Sequence, residues 1–234
     1  DEEYINSHYV IMATKKGQVK KTSLEQYSRP RLNGINAITV KEDDELLEAK
    51  LTTGNSQVLI AVKSGKCIRF DESKTRPMGR NASGVRGIRL KDDKDEVVGM
   101  ISVNDMESDI LVVSENGYGK RSSLDAYRMT NRGGKGVKTI SVTDKTGKLV
   151  SLKNVTDNDD LMIINKSGIA IRMEVSSLRV MGRATQGVKL INLKDNDAIA
   201  AVAKVVHDDD NIEDLENIEV DIADKNLDNK NDSN

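Results

Sequence analysis

The chain has few of the residues that anchor small folds or carry redox chemistry. It contains one cysteine, no tryptophan, one phenylalanine and two prolines in 234 residues. A single cysteine, Cys67, excludes an internal disulfide and a multi-cysteine metal site, and it favours a reducing compartment. The core must therefore be built from Val, Ile, Leu, Met and Ala.

Long apolar runs are also missing. No stretch approaches the 18 apolar residues of a membrane span, and the first residues, "DEEYINSHYV", have neither the basic nor the apolar part of a signal peptide. We therefore expect a cytoplasmic protein with no membrane partner.

Patterns for catalysis or for binding of ions and nucleotides are absent. His8 and His207 are far apart, and neither has a Cys or a second His at ligand spacing. The chain has no GxxxxGK[ST] sequence, and "DDDNIEDLE" has no glycine at the sixth position of a calcium loop. We predict that this chain holds no metal, no cofactor and no catalytic residue.

What the sequence does contain is a repeat of about 50 residues, present four times. Each copy opens with an apolar stretch, a turn and a second stretch, of which "YVIMATKKGQVKK" and "DILVVSENGYGKR" are examples. The turn glycines are Gly17, Gly65, Gly117 and Gly168. A second glycine precedes an expected third strand in each copy, at Gly34, Gly84, Gly136 and Gly187. A hairpin turn with positive φ favours glycine, so all eight are interpreted as structural.

A fourth apolar segment closes each copy, as in "DEVVGMISV". Four short strands per copy predict an all-β fold of four-stranded antiparallel blades, because a lone sheet cannot bury both faces but neighbouring blades can. The predicted blades span residues 9–56, 57–108, 109–159 and 160–206 of a propeller-like domain at 1–207.

Positive charge recurs in the loop before each second glycine, as in "TRPMGRNASG" and "LRVMGRATQG". A repeat places such loops at equivalent points, so the cations are expected to form a curved basic belt suited to the phosphates of duplex DNA. A solvated face of mixed charges is the alternative, but acidic residues are sparse in these loops. The predicted DNA-contacting residues are Arg29, Arg31, Arg76, Arg80, Arg86, Arg89, Lys120, Arg121, Arg128, Arg132, Lys135, Lys138, Arg179, Arg183 and Lys189.

The last 27 residues, 208–234, have the opposite charge. They hold 11 acidic and two basic residues, a net −9, which leaves 34 basic and 27 acidic residues, or +7, in 1–207. Low aromatic content and many Asp and Asn residues predict an acidic, disordered segment that aids solubility. The alternative is that this tethered polyanion competes with DNA for the belt.

Four segments, "MATKKGQVKKTSLEQY", "MGRNASGVRGIRL", "ENGYGKRSSLDAY" and "MGRATQGVKLINL", carry a family resemblance. They resemble, in order, the last four blades of the C-terminal domain found in the A subunit of DNA gyrase, a six-bladed β-pinwheel that wraps DNA. The resemblance covers residues 9 to about 206. It implies DNA wrapping in support of negative supercoiling by a bacterial, nucleoid-associated type IIA topoisomerase, with enzymatic activity only in the parent enzyme.

The resemblance also implies partners and cofactors outside this chain. These are the gyrase B subunit together with the N-terminal region of the same polypeptide, in an A2B2 enzyme that uses ATP and Mg²⁺ elsewhere. The family's first blade carries a Gln-Arg-Arg-Gly-Gly-Arg-Gly box, whereas the similar "NRGGKG" at 131–136 stands in the third repeat. We therefore expect a fragment that lacks about two upstream blades. Two alternatives stay open. One is the C-terminal domain of topoisomerase IV, which belongs to the subunit of that enzyme that corresponds to gyrase A. The other is a propeller-like scaffold for protein interactions.

Overall fold

The computed structural model describes residues 2–194 and 196–206. Within these residues sixteen strands form four sheets, preceded by a short helix α1 (Glu2–Ser7). The predictions for His207 and for the acidic segment 208–234 lie outside the described residues. The strands are β1 (Tyr9–Thr14), β2 (Gln18–Ser23), β3 (Leu46–Thr52), β4 (Gln57–Val62), β5 (Lys66–Asp71), β6 (Val85–Arg86), β7 (Val97–Val103), β8 (Asp109–Ser114), β9 (Tyr118–Ser123), β10 (Met129–Thr130), β11 (Val137–Lys138), β12 (Leu149–Val155), β13 (Asp159–Asn165), β14 (Ala170–Glu174), β15 (Val188–Lys189) and β16 (Ile199–Val206).

Every repeat forms an antiparallel hairpin followed by one turn of 3-10 helix. The hairpins are β1–β2, β4–β5, β8–β9 and β13–β14, and the helical turns are Leu24–Tyr27, Glu72–Lys74, Leu124–Ala126 and Val175–Ser177. The long closing strand of each repeat (β3, β7, β12 or β16) pairs with the first hairpin strand. The predicted all-β array of four blades is confirmed.

The predicted third strands differ from expectation. They shrink to two-residue strands in repeats two to four, and each pairs with the hairpin of the preceding repeat: β6 with β2, β11 with β5 and β15 with β9. In the first repeat, residues 34–40 form no strand, so that prediction is wrong. A strand that pairs backwards needs a preceding hairpin, and the part of the chain that the structure describes has none before the first repeat. A blade is therefore not a contiguous stretch of sequence.

We call β6, β11 and β15 the exchanged strands, because each pairs with the hairpin of the preceding repeat. This pairing explains one of the second glycines in physical terms. Gly187 has a φ of +81°, and a Cβ added there would stand 2.4 Å from the carbonyl oxygen of Gly119 in the preceding hairpin. A non-glycine residue would be strained and would collide with backbone, so glycine permits the two repeats to approach. At Gly34, where no hairpin lies alongside, a Cβ would meet nothing within 4 Å.

The core lies between successive sheets. Val58, Ile60 and Val62 of β4 pack towards the first sheet, whereas Leu59 and Ala61 pack towards the third. The middle sheets are thus covered on both faces, which is why their hairpins have almost continuous apolar runs. Cys67 is fully buried in this core, as expected for a thiol with a structural role.

The closing strands pack against one another in the order β3, β7, β12 and β16, and therefore mark the inner edge of the array. In the first three sheets the exchanged strands occupy the opposite edge, which is the outer perimeter. Among the described residues, no helix is long and apolar enough to cross a membrane.

Candidate nucleic-acid interface

Nine of the predicted cations occupy three equivalent positions relative to the second glycine of repeats two to four. The loop row, eight residues before that glycine, is Arg76, Arg128 and Arg179. The anchored row, four residues before it, is Arg80, Arg132 and Arg183. The strand row, two residues after it, is Arg86, Lys138 and Lys189 on the exchanged strands β6, β11 and β15. These positions place the nine side chains along the outer perimeter.

The loop row and the strand row are exposed in all three repeats. Four further predicted cations, Arg29, Arg31, Arg89 and Lys135, are exposed as well. Among the described residues, none of these cations forms an ion pair with a carboxylate. Their charge is therefore not neutralised by a carboxylate in the part of the chain that the structure describes, and these side chains face the solvent from which a polyanion would approach.

The anchored row is half-buried and ties each loop to the preceding repeat. Arg132 donates from Nε to the carbonyl oxygen of Lys74 (2.9 Å) and from Nη1 to that of Arg86 (3.0 Å). Arg183 repeats this pattern one blade later, towards Ala126 (3.0 Å) and Lys138 (2.8 Å). The guanidinium of each anchored arginine therefore lies beside the strand-row residue of the preceding repeat.

Arg80 makes the equivalent contact in the second repeat, from Nη1 to the carbonyl oxygen of Asn36 (3.1 Å). Asn36 stands at the strand-row position of the first repeat, where the side chain is uncharged. A guanidinium has five N–H donors, so one or two bonds to carbonyls orient the group and leave donors for a phosphate. The basic perimeter thus has an anchored arginine at each of the three junctions, and at the last two this arginine lies beside a second cation.

The glycine-rich loop of the third repeat is bound to the second repeat through its backbone. Gly133 donates to the carbonyl oxygen of Gly87 (2.6 Å), and the N–H of Arg89 donates to that of Gly134 (2.8 Å). The loop also adds β10, which runs parallel to β5. Between the loop and β5 lies a cavity of about 180 Å³, whose lining includes Arg128 and Lys135. This junction presents backbone and cations together, as phosphate sites do.

Two predicted DNA contacts require correction. Lys120 and Arg121 are 1% and 8% exposed, so neither side chain is available at the surface. Lys120 donates from Nζ to the carbonyl oxygen of Gly182, and Arg121 donates from Nε to that of Leu178 and from Nη1 to Asp157. Both positions belong to a strand between two other strands, which turns their side chains into the spaces between blades.

Arg69 is the equivalent of Arg121 in the second repeat and acts in the same way. Its Nη1 donates to the carbonyl oxygens of Leu124 (2.8 Å) and Tyr127 (2.9 Å) in the third repeat. Burial lowers the pKa of Arg69, but a guanidinium remains charged in proteins. These residues clamp one blade to the next and have a structural role.

The sequence did not reveal which cations face inward. A signal was present in the residue three positions after the turn glycine of each hairpin. In the four repeats this residue is Lys20, Ile68, Lys120 and Ile171. Two isoleucines at equivalent positions indicate an apolar environment, and Lys20 is fully buried like Lys120.

Comparison with protein families gives one match that follows the repeats. The family described as DNA gyrase C-terminal domain, beta-propeller, matches residues 8–53, 57–104, 108–156 and 159–205. Each match begins close to a hairpin and ends with a closing strand.

Curated relatives agree with this match. The chain is 47% identical over 204 residues to the DNA gyrase A polypeptide of Staphylococcus epidermidis (strain ATCC 12228 / FDA PCI 1200), and 45% identical over 204 residues to that of Staphylococcus aureus (strain MRSA252). In both cases the alignment covers 87% of this chain and 23% of the relative. The chain therefore spans about a quarter of the length of these relatives.

Solved structures show the same fold at lower identity. The C-terminal domain of DNA topoisomerase IV has a TM-score of 0.81 and 24% identity, covering 86% of this chain and 62% of that one. The DNA gyrase A C-terminal domain has a TM-score of 0.77 and 24% identity, covering 88% and 68%.

Proposed function

The chain belongs to the DNA gyrase C-terminal domain family, and on that premise we propose that it binds duplex DNA along its outer perimeter without reading base sequence. It bends that DNA and presents it to the DNA gate of a gyrase, in support of negative supercoiling. The observation that carries the proposal is the repetition of three cationic positions at the outer edge of successive blades.

The energetics favour a belt over a single pocket. Bending a site of 20–30 bp by 40–90° costs about 1–6 kcal/mol, so several phosphate contacts must offset it. Each blade junction supplies an anchored arginine and, in the last two junctions, a strand-row cation whose backbone carbonyl accepts from that arginine. Backbone carbonyls and glycine-rich loops fix the cations but present no base-reading side chain in a fixed register, which suits binding of any sequence.

Sequence identity favours a gyrase over topoisomerase IV. The relatives at 45–47% identity are gyrase A polypeptides, whereas both solved structures share 24% identity and support the fold alone. By the same reasoning, the proposed partners of the whole protein are a gyrase B subunit together with the N-terminal region of the gyrase A polypeptide itself. ATP and Mg²⁺ are proposed to act in those parts of the enzyme. This chain is proposed to wrap DNA and to supply no catalytic residue.

The test is neutralisation of the loop row by Arg76→Gln, Arg128→Gln and Arg179→Gln together. The matched control is Lys50→Gln, Lys153→Gln and Lys204→Gln, which removes three charges from the inner strands β3, β12 and β16. Binding of two unrelated duplexes is measured across a salt series. Each lost phosphate contact lowers the slope of log affinity against log salt by about 0.9, so the loop-row variant is expected to lose about 2.7.

The two duplexes are expected to weaken alike, and the control is expected to keep the wild-type slope. Equal slopes for the loop-row variant and wild type would contradict the proposal, as would a loss confined to one sequence. Binding to an acidic protein in preference to DNA would favour the interaction-scaffold alternative.

A further inference from the structure

Two lysines lie directly beneath the basic loops. Lys20 and Lys120 are 0% and 1% exposed, and they occupy the same position in the first and third hairpins. Lys20 donates from Nζ to the carbonyl oxygens of Ala37 (2.6 Å) and Arg80. Lys120 donates to that of Gly182. Each ammonium therefore reaches out of its own repeat and holds the backbone of the loop that carries an anchored arginine, Arg80 or Arg183.

The other two repeats show that the fold itself does not need a lysine here. Ile68 and Ile171 stand at the equivalent position of the second and fourth hairpins. Above Ile68 the loop is held differently, because Gly133 and Gly134 form backbone hydrogen bonds with Gly87 and Arg89. Where the loop lacks this glycine pair, as in "RNASG" and "RATQG", a buried lysine adds a side-chain hydrogen bond to the backbone bonds that Met78 and Met181 donate to the preceding hairpin.

Among the residues that the structure describes, no anionic group stabilises the charge of these two lysines. Within the described residues neither forms an ion pair, and each has a second cation beside it, Arg80 near Lys20 and Arg183 near Lys120. Burial, followed by Arg183, lowers the pKa of Lys120 to about 8. Burial, followed by Arg80, also lowers the pKa of Lys20.

The other contacts of these two cation pairs in the described part of the chain are made by hydroxyl groups and backbone carbonyl oxygens. Tyr27 donates from its hydroxyl to the same Ala37 carbonyl oxygen as Lys20 (3.2 Å). Arg183 also faces Tyr127, whose pKa is raised by burial, and Tyr127 bonds to Thr139. Two neighbouring cations repel each other when no carboxylate lies beside them. A polyanion bound at the loop would offset this unfavourable electrostatic energy.

We propose that Lys20 and Lys120 are positioning residues for DNA binding, each holding a basic loop so that Arg80 or Arg183 meets a phosphate. This inference rests on the proposed function. The phosphate supplies the anion that both members of each cation pair lack. The loop keeps its binding conformation while the lysine is protonated.

The direction and size of the pH effect on DNA affinity follow from the two protonation states of Lys120. Bound DNA favours the ammonium, so affinity is highest below the pKa of the free protein and falls as pH rises through it. With a pKa near 8, about one tenth of Lys120 is protonated at pH 9. If only the protonated form binds well, Kd at pH 9 is expected to be about tenfold higher than at pH 7.

The test compares Lys120→Ile and Lys120→Arg with wild type in the full chain, with a 30 bp duplex as the probe. Isoleucine is the residue that the fold already accepts at Ile68 and Ile171, so Lys120→Ile is expected to fold. Lys153→Ile on β12 is the control, because it removes the same charge from the inner edge. Far-UV circular dichroism at each pH verifies that all four proteins are folded.

Lys120→Ile is expected to remove the phosphate contact of Arg183, and so to lower the salt slope by about 0.9 at pH 7 and to flatten the pH profile between 7 and 9. Lys120→Arg is expected to retain the wild-type affinity at pH 7 with a flattened profile, because arginine does not titrate in this range. The Lys153→Ile control retains the wild-type profile.

A folded Lys120→Ile protein with the wild-type slope and pH profile would overturn this inference alone. So would a Lys120→Ile protein that loses affinity but keeps the full pH dependence. Absence of salt-dependent binding by wild type would instead overturn the proposed function. The two failures are therefore distinguishable.

Discussion

Substitution of Gly187 by alanine tests whether the exchange of strands between repeats contributes to stability. Gly187 and Gly34 are equivalent glycines, with φ of +81° and +75°. A Cβ at position 187 would stand 2.4 Å from the carbonyl oxygen of Gly119, whereas one at position 34 meets nothing within 4 Å. Gly34→Ala therefore measures the cost of the backbone conformation, and Gly187→Ala measures that cost together with the lost approach of β15 to β9.

The expected magnitudes follow from these two terms. A left-handed conformation costs a residue with a Cβ roughly 1–2 kcal/mol, and this applies to both variants. At position 187 the chain must also move away from β9, where Val188 pairs with Gly119 and Lys189 with Tyr118. Loss of two backbone hydrogen bonds, each contributing about 0.5–1.5 kcal/mol, adds about 1–3 kcal/mol, which brings the total to about 2–5 kcal/mol.

The assay is urea unfolding followed by far-UV circular dichroism, since the chain has no tryptophan. Gly187→Ala is expected to lower the free energy of unfolding by about 2 kcal/mol more than Gly34→Ala, with unchanged m values. Equal destabilisation by the two substitutions would refute the claim that the exchanged strand ties the repeats together.

Three further predictions concern other parts of the chain. Arg121→Met should destabilise the fold by about 1–3 kcal/mol, because the Leu178 carbonyl oxygen loses its donor and Asp109 loses its cationic partner at 3.6 Å, whereas Asp157 is exposed and regains water. The exposed Arg128→Met should change stability by less than about 0.5 kcal/mol, and urea unfolding compares the two variants. Cys67 should resist a thiol reagent in the native protein and react on unfolding, because it is fully buried and burial raises its pKa; fast labelling of the native protein would contradict this. Removal of residues 208–234 should tighten DNA binding at low salt, with an advantage that disappears in high salt; unchanged affinity at low salt would leave that segment a solubility element.

The parts of the fold that depend on local sequence could be predicted. Hairpins with a turn glycine at positive φ, such as the one at Gly117, leave a direct mark because few other residues tolerate that conformation. The second glycines Gly84, Gly136 and Gly187 also have positive φ, but they do not show which hairpin β6, β11 and β15 pair with. A two-residue strand can pair with any neighbouring hairpin, and only the packing of whole repeats decides which one.

The candidate site was predictable to the extent that loops remain at the surface. Arg76, Arg128 and Arg179 are exposed as expected for cations in loops. Lys120 and Arg121 follow a turn glycine and look like surface cations in a single copy of the repeat. Their burial follows from their place on β9, between β8 and β15, and from the neighbouring blade that covers them.

The most direct test of the account is whether the chain bends DNA around itself with one handedness. Relaxed closed-circular plasmid is incubated with increasing amounts of the protein, treated with a nicking-closing topoisomerase, freed of protein and resolved on chloroquine gels. The linking number is expected to shift in one direction by an amount that grows with protein, and this shift is expected to be lost in the Arg76→Gln, Arg128→Gln, Arg179→Gln variant. An unchanged topoisomer distribution under conditions in which the plasmid is fully bound would contradict it.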